Sequence, residues 1–143
     1  MEKLNELLQQ LKGIDNTFYF TQTGSYFYLM KEGIKFNIAN NRGNEMAHFL
    51  IAFKKTGLKA TVENIENAHR VFSMITSIIT YGGSSIEKIM TNEYLQHELY
   101  CGISENAKRT IAEYLLKQVS EIGYAGDDDE GLSYNYLKLK EVA

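Results

Sequence analysis

The turn Gly82-Gly83-Ser84-Ser85 is the first place where residue types and spacing could do chemistry. Glycines let a ligand approach the backbone, serine hydroxyls add donors, and a helix N-terminus favours an anion such as phosphate. The pattern Gly-x-x-x-x-Gly-Lys-Ser/Thr is absent, and no predicted strand precedes the turn, as that phosphate-binding loop requires. Glu87, three positions after Ser84, is equally typical of a helix corner with a capping box, so both interpretations stay open.

Arg70 and Arg109 are the candidate partners for an anion, because a guanidinium group offers phosphate or carboxylate a planar pair of donors. Arg70 falls on the long helix predicted before the glycine turn, and Arg109 falls on a later helix. The alternative is surface ion pairing with Glu66 and Glu113, each one helical turn away. If the protein holds an anion, we expect it at the glycine turn with one of these arginines.

Tyr26 and Tyr28 fall on a predicted strand in a region rich in aromatic side chains. A tyrosine-rich sheet face can stack on a base or anchor a partner protein. Ordinary packing within the sheet is the alternative. We expect this face to form a homo-oligomer contact or to dock a host protein.

The histidines and the single cysteine show no catalytic or metal-binding pattern. His48, His69 and His97 lie on different predicted helices, without the spacing of a zinc site. Cys101 has no activating base in an evident motif and is predicted to be structural. The acidic run over residues 127–130 lacks the glycine and glutamate positions of a calcium loop. We therefore expect no metal and no cofactor.

An antiparallel meander is predicted near the N-terminus, because short aromatic or alternating segments are separated by glycine turns. The middle segment is apolar on both faces, so we expect helices or another subunit to cover both of its sides. A later alternating segment predicts one more strand, which could pair with the meander. The predicted strands cover residues 17–21, 25–30, 34–38 and 132–140.

Helical periodicity occupies the N-terminal end and the region between the meander and the last strand. The helix that starts after Thr61 is nearly all apolar in its second half, which predicts burial at the centre of the domain. Ser84 and Ser104 are predicted N-caps, and Gly123 is the predicted end of the last helix. The predicted helices cover residues 2–12, 45–57, 61–81, 84–100 and 104–123.

The chain of 143 residues is predicted to form one α+β domain over residues 1–143, with four to five helices packed against the meander. A formal net charge of −3 disfavours bulk binding to nucleic acid, which needs clustered Lys and Arg. No apolar run is long enough to span a bilayer, and the N-terminus has no signal-peptide core. Because Cys101 is the only cysteine, we expect a reducing, cytoplasmic setting.

These features favour a small non-enzymatic protein that binds and sequesters an anionic, nucleotide-like ligand. The composition, with no proline and with Arg42, Arg70 and Arg109 as the only arginines, is typical of AT-rich genomes such as those of phages and mobile elements. Two alternatives stay open. One is a protein-interaction module, an inhibitor or adaptor of a host protein, that docks through Tyr26 and Tyr28. The other is a small enzyme with no recognisable motif.

Overall fold

The computed structural model has an α+β arrangement, with the helices in one central stretch of the chain and strands before and after them. It describes residues 19–23, 26–31, 34–40, 43–97, 101–127 and 133–141. The helix predicted over residues 2–12 lies outside these ranges. Four helices and five strands occupy the described part of the chain.

The first three strands are β1 (Tyr19–Thr23), β2 (Tyr26–Lys31) and β3 (Ile34–Asn40). They pair antiparallel in the order β1-β2-β3, so β2 lies in the middle. Tyr28 is paired with Thr21 of β1 on one side and with Asn37 of β3 on the other. The aromatic, β-prone composition of β2 suits a strand whose backbone is paired along both edges.

Helices α1 (Gly43–Thr56) and α2 (Val62–Thr80) are joined by a short connection. This connection contains the residue that ends α1 and the residue that caps the start of α2. Gly57 has a φ of +72°, a left-handed conformation that glycine adopts without steric cost, and it ends α1. The predicted N-cap at Thr61 is confirmed, because its side chain accepts a hydrogen bond of 3.1 Å from the backbone N–H of Asn64. No helix in the described ranges has the length and apolar character to cross a membrane.

Helices α3 (Ile86–Met90) and α4 (Glu105–Gln118) differ from the predicted bounds. The prediction of a helix reaching residue 100 is wrong, because α3 ends at Met90. Just beyond it, the side chain of Asn92 accepts hydrogen bonds from the backbone N–H groups of Tyr94 and Leu95. An asparagine that bonds the backbone locally in this way competes with helix continuation.

Strands β4 (Val119–Asp127) and β5 (Ser133–Leu139) form a separate two-stranded antiparallel sheet. Gly123 lies opposite Tyr136, and a Cβ atom at position 123 would stand 2.4 Å from that ring. The hydroxyl of Tyr136 donates a hydrogen bond of 2.6 Å to Glu121. A tyrosine that covers a cross-strand glycine helps to fix the register of the hairpin.

The predicted architecture, in which a C-terminal strand could join the N-terminal meander against the helices, is wrong, because β5 pairs with β4 in a sheet of its own. The sheet whose described side chains join the core is the C-terminal pair β4–β5, through Val119, Leu137 and Leu139. The end of the last helix at Gly123 is also wrong. Val119 continues the inward spacing of Ala107, Ile111 and Leu115 in α4, but strand pairing with β5 overrides this local pattern. The broader α+β class holds.

The hydrophobic core lies between the helices, and α2 contributes one buried face to it. Ile65, Val71 and Ile75 of α2 are at most 1% exposed. The largest fully buried side chains are Phe49, Phe53, Ile65, Ile75, Ile79, Ile89, Leu95, Ile111 and Leu115. Burying such side chains is the main favourable contribution to folding, at about 25 cal/mol per Å² of apolar surface.

A buried histidine connects the end of β5 to two helices. His48 of α1 is 1% exposed, and its Nε2 lies 2.6 Å from the carbonyl oxygen of Lys140. Because a carbonyl only accepts, Nε2 carries the proton, and Nδ1 accepts from the hydroxyl of Tyr114 at 2.6 Å. Burial lowers the pKa of His48, and the Lys140 carbonyl and the charges of Glu141 and Glu45 partly offset this. Burial also raises the pKa of Tyr114 to about 12.

Candidate functional site

One face of α2 carries four polar side chains that point away from the core. Glu63, Glu66, Asn67 and Arg70 follow the spacing i, i+3, i+4, i+7, which places them on one side of a helix. The buried stripe of α2 occupies the opposite side. The same helix therefore anchors the core with one face and lines a cleft with the other.

The facing wall of this cleft is the first turn of α4 and the segment before it. The predicted N-cap at Ser104 is confirmed, because its hydroxyl accepts a hydrogen bond of 3.1 Å from the backbone N–H of Ala107. This cap fixes where α4 begins and thus where Lys108 lies. Lys108 is in register with the inward-facing Ile111 and Leu115, and it is only 4% exposed.

Between the two walls lies a cavity of about 690 Å³, which we call the α2–α4 cleft. This volume falls within the range of about 300 to 1,000 Å³ that is typical of small-molecule sites. Its described lining consists of Glu63, Glu66, Asn67, Arg70, Gln96, Cys101, Gly102, Ile103, Glu105 and Lys108. Charged and amide side chains dominate this lining, so the cleft suits a polar ligand.

The Lys108 ammonium is the most unusual group in the cleft. It has three N–H donors, and the one hydrogen bond found for it within the described ranges is a 3.5 Å contact with Gln96 Oε1. That distance is beyond the usual 2.7–3.2 Å for such bonds, so the contact is weak. Burying an ammonium group costs several kcal/mol unless it is well paired. Among the described residues, no strong hydrogen bond uses the donors of Lys108.

Arg70 lies on the opposite wall, where its Nη1 donates a hydrogen bond of 3.1 Å to Asn67 Oδ1. Asn67 is 8% exposed, so this amide is a fixed support for an otherwise exposed guanidinium group. The alternative predicted from the sequence was a surface ion pair between Arg70 and Glu66. No such ion pair is found among the described residues. The guanidinium retains donors that can face the cleft.

Gln96 connects the segment after α3 to the floor of the cleft. Its Nε2 donates a hydrogen bond of 2.7 Å to the backbone carbonyl of Met90, and this bond holds the side-chain amide in place. The same nitrogen lies 3.5 Å from Glu105 Oε1, while Oε1 of the amide faces Lys108. The amide of Gln96 thus lies beside Lys108 without neutralising its charge.

Cys101 is buried in the lining of the cleft, and its thiol lies 3.8 Å from the carbonyl oxygen of Tyr94. Burial raises the pKa of the thiol, and the charges of Lys108 and Arg70 partly offset this effect. Both cations are therefore close enough to Cys101 to act on it electrostatically. The thiol itself is protonated at neutral pH, the form that does not act as a nucleophile.

The glycine turn caps the C-terminal end of α2. Gly82 has a φ of +106°, and its N–H donates to the carbonyl of Ile79 at 3.2 Å. The N–H of Gly83 donates to the carbonyl of Ile78 at 2.8 Å, which completes a Schellman motif. A Cβ atom at Gly83 would stand 2.3 Å from Ile78 Cγ2, so the close chain approach explains this glycine. The two amides expected to face an anion donate to α2 instead.

The N-cap of α3 is Ser85, one residue later than predicted. The hydroxyl of Ser85 accepts a hydrogen bond of 3.2 Å from the backbone N–H of Lys88, whereas Ser84 is exposed and precedes the helix. The predicted capping box at Ser84 and Glu87 is therefore wrong by one position. The helix begins one residue later than predicted because the backbone of Gly83, the second glycine, is needed to cap the end of α2.

The turn and the cleft are separate parts of the molecule. Gly82 follows Arg70 by twelve residues along α2, which corresponds to about 18 Å at 1.5 Å per residue. A smaller groove of about 360 Å³ lies next to the turn, and Tyr81 and Glu45 are among its lining residues. Glu45 is the one charged side chain in the described lining of that groove.

The remaining predicted site residues lie away from the cleft. Arg109 follows Lys108 on α4, but its side chain is exposed and does not line the cavity. Tyr26 and Tyr28 both lie in β2, where their backbones are paired with β1 and β3. Docking through these tyrosines and homo-oligomer formation stay predictions.

Lys108 and Gln96 were missed in the sequence because each residue type is common on exposed surfaces. The sequence nevertheless carries one signal for Lys108. Ile111, Ala112 and Leu115 follow it at i+3, i+4 and i+7, so the lysine occupies an inward position of α4. A lysine at such a position is a candidate for a functional role.

Comparison with known proteins identifies no family and no relative of this chain. No model of a protein family matches the chain, and no curated protein or solved structure matches it. Among the described residues, no group of three His, Cys, Asp or Glu side chains could hold a metal ion. The case for a function therefore rests on the chemistry of the cleft.

Proposed function

We propose that this protein binds a small anionic molecule in the α2–α4 cleft and holds it without transforming it. The observation that carries the proposal is the Lys108 ammonium, which is 4% exposed and has one weak hydrogen bond at 3.5 Å. Arg70 faces the same cavity from the other wall. Two cations at a cleft supply charge-assisted hydrogen bonds, which are roughly twice as strong as neutral ones.

The size and charge of the molecule favour a small ligand over a macromolecule. A cavity of about 690 Å³ encloses a small molecule, and the formal net charge of −3 disfavours a nucleic-acid backbone. A nucleotide fits the proposal through its phosphate groups. Stacking of the nucleotide base is not part of the proposal, because none of the described residues that line the cleft is aromatic.

The state of Cys101 supports binding rather than covalent catalysis. Its thiol is the one strong nucleophile by residue type in the described lining, and burial raises its pKa. A protonated, buried thiol that lies against the Tyr94 carbonyl is suited to packing. A free thiol also agrees with a reducing compartment, and the proposal places the protein in the cytoplasm.

The proposal is tested by isothermal titration calorimetry against a panel of anions. The panel contains inorganic phosphate, mono-, di- and cyclic nucleotides, and amino acids. We expect at least one of them to bind, and we expect Arg70→Gln to weaken that binding by about tenfold to a hundredfold. A charge-assisted hydrogen bond of about 1.5–3 kcal/mol corresponds to this range.

Arg109→Gln is the matched control, because it removes the same kind of charge from an exposed position outside the cleft. It should leave the affinity unchanged within about twofold. The proposal is contradicted if no member of the panel binds to the folded wild-type protein at high protein concentration. It is equally contradicted if both arginine variants weaken binding to the same extent.

A further inference from the structure

The charges of the α2–α4 cleft are divided between two ends. Arg70 and Lys108 line the cleft from facing walls and form the cation end. Glu63 forms the acid end, in the first turn of α2, and Glu66 lies between the two ends, one helical turn before Arg70. Glu63 precedes Arg70 by seven residues, which is about 10 Å along the helix.

The two ends do not neutralise each other. Within the described ranges, no ion pair joins a carboxylate of the cleft to Arg70 or Lys108. Glu105 belongs to the cation end, where the amide of Gln96 lies 3.5 Å from it. The described lining of the cleft holds three carboxylates and two cations, so charges of both signs face a ligand.

A ligand that is only an anion would satisfy half of this arrangement. Its charge would interact well with Arg70 and Lys108 but would be repelled by Glu63 and Glu66. For two unit charges roughly 10 Å apart, this repulsion changes the affinity by about twofold to about fifteenfold, depending on the local dielectric. An ammonium group at the acid end converts the repulsion into attraction.

We infer that the ligand is a zwitterion, with a carboxylate or phosphate at the cation end and an ammonium group at the acid end. The inference rests on the proposed function, since it assigns the second half of the same site. It also gives Glu63 a role beyond the favourable effect of a carboxylate in the first turn of a helix. The two charged groups of the ligand are separated by about two helical turns of α2.

The test compares three probes of one chain length by NMR titration: ε-aminocaproate, caproate and hexylamine. We expect ε-aminocaproate to bind at least about fivefold more tightly than caproate, and hexylamine to bind more weakly than either. The double variant Glu63→Gln/Glu66→Gln should reduce this preference to about twofold or less. Arg70→Gln should weaken both ε-aminocaproate and caproate.

The double variant Glu93→Gln/Glu113→Gln is the matched control, because it removes two exposed carboxylates outside the cleft. It should retain the preference for ε-aminocaproate, and thermal unfolding of all variants checks that the fold is intact. If caproate binds as tightly as ε-aminocaproate and Arg70→Gln still weakens it, the zwitterion is excluded while anion binding survives. If no probe and no anion of the calorimetric panel binds, both proposals fail together.

Discussion

His48 and Lys108 are both buried basic side chains, but their surroundings differ in one respect. Both ring nitrogens of His48 make hydrogen bonds of 2.6 Å within the protein. The ammonium of Lys108 has three donors and a single 3.5 Å contact among the described residues. A buried polar group that is fully bonded holds the fold together, whereas one with unused donors facing a cavity is suited to a ligand.

The largest expected effect separates the two residues by stability. His48→Ala leaves the hydroxyl of Tyr114 and the carbonyl of Lys140 unpaired in a cavity, so we expect the free energy of unfolding to fall by about 2–4 kcal/mol. Urea denaturation measures this change. His97→Ala, at an exposed histidine, should change stability by less than about 0.5 kcal/mol. Equal losses in both variants would remove the structural role of His48.

Lys108→Met should weaken ligand binding without lowering stability, the opposite of His48→Ala. Methionine has a similar volume and no charge to desolvate, so we expect the free energy of unfolding to stay unchanged or to rise by about 1 kcal/mol. The affinity for ε-aminocaproate should fall at least tenfold, or about 1.4 kcal/mol. Lys117→Met, at an exposed position of the same helix, should change neither quantity. A clear loss of stability in Lys108→Met with unchanged affinity would assign Lys108 to the fold.

The glycine turn, like His48, is expected to stabilise the fold rather than to bind a ligand. Gly82→Ala forces a side chain into a φ of +106°, so we expect a loss of about 1–2 kcal/mol in the free energy of unfolding. The affinity of the cleft, about 18 Å away along α2, should not change. Denaturation and NMR titration of the same variant measure both quantities. A selective loss of affinity would restore the turn as an anion site.

The pH dependence of stability provides a smaller effect of known sign. Burial lowers the pKa of His48 below its value of 6.5 in the unfolded chain, so the unfolded state binds more protons between the two values. Stability should therefore be full above about pH 6.5 and fall as the pH drops towards the pKa of the folded state. Urea midpoints over this range should show the slope in the wild type. The slope should be reduced in His48→Gln, and an identical slope in both would exclude His48 as its source.

Local signals were the part of the fold that the sequence predicted well. Thr61 and Ser104 cap helices as expected, because an N-cap depends on a side chain and the amides of the next turn. The strand β4 was missed, because Val119 at its start extends the helical spacing of α4, whereas the segment becomes a strand through pairing with β5. Contacts that are distant in sequence decide that choice, and a single sequence does not contain them.

The site was predicted in part for a similar reason. Arg70 was a candidate by residue type, and it does line the cleft. Its expected neighbours at Gly82 and Gly83 lie elsewhere, because their glycines serve the end of α2. Lys108 was missed, since a lysine on a helix is ordinarily exposed. Its position in the inward stripe of α4 was the available signal, and only the packed structure shows what that position faces.

The most direct test of the contrast between the two buried bases is nitrogen-15 NMR of their side chains during one titration. We expect ε-aminocaproate to shift the ammonium signal of Lys108 in a saturable manner, while the imidazole signals of His48 stay unchanged. The Lys108 shift should be lost in Arg70→Gln and retained in Arg109→Gln. An ammonium signal of Lys108 that does not respond to this probe or to any anion of the panel would exclude Lys108 as a ligand-binding group.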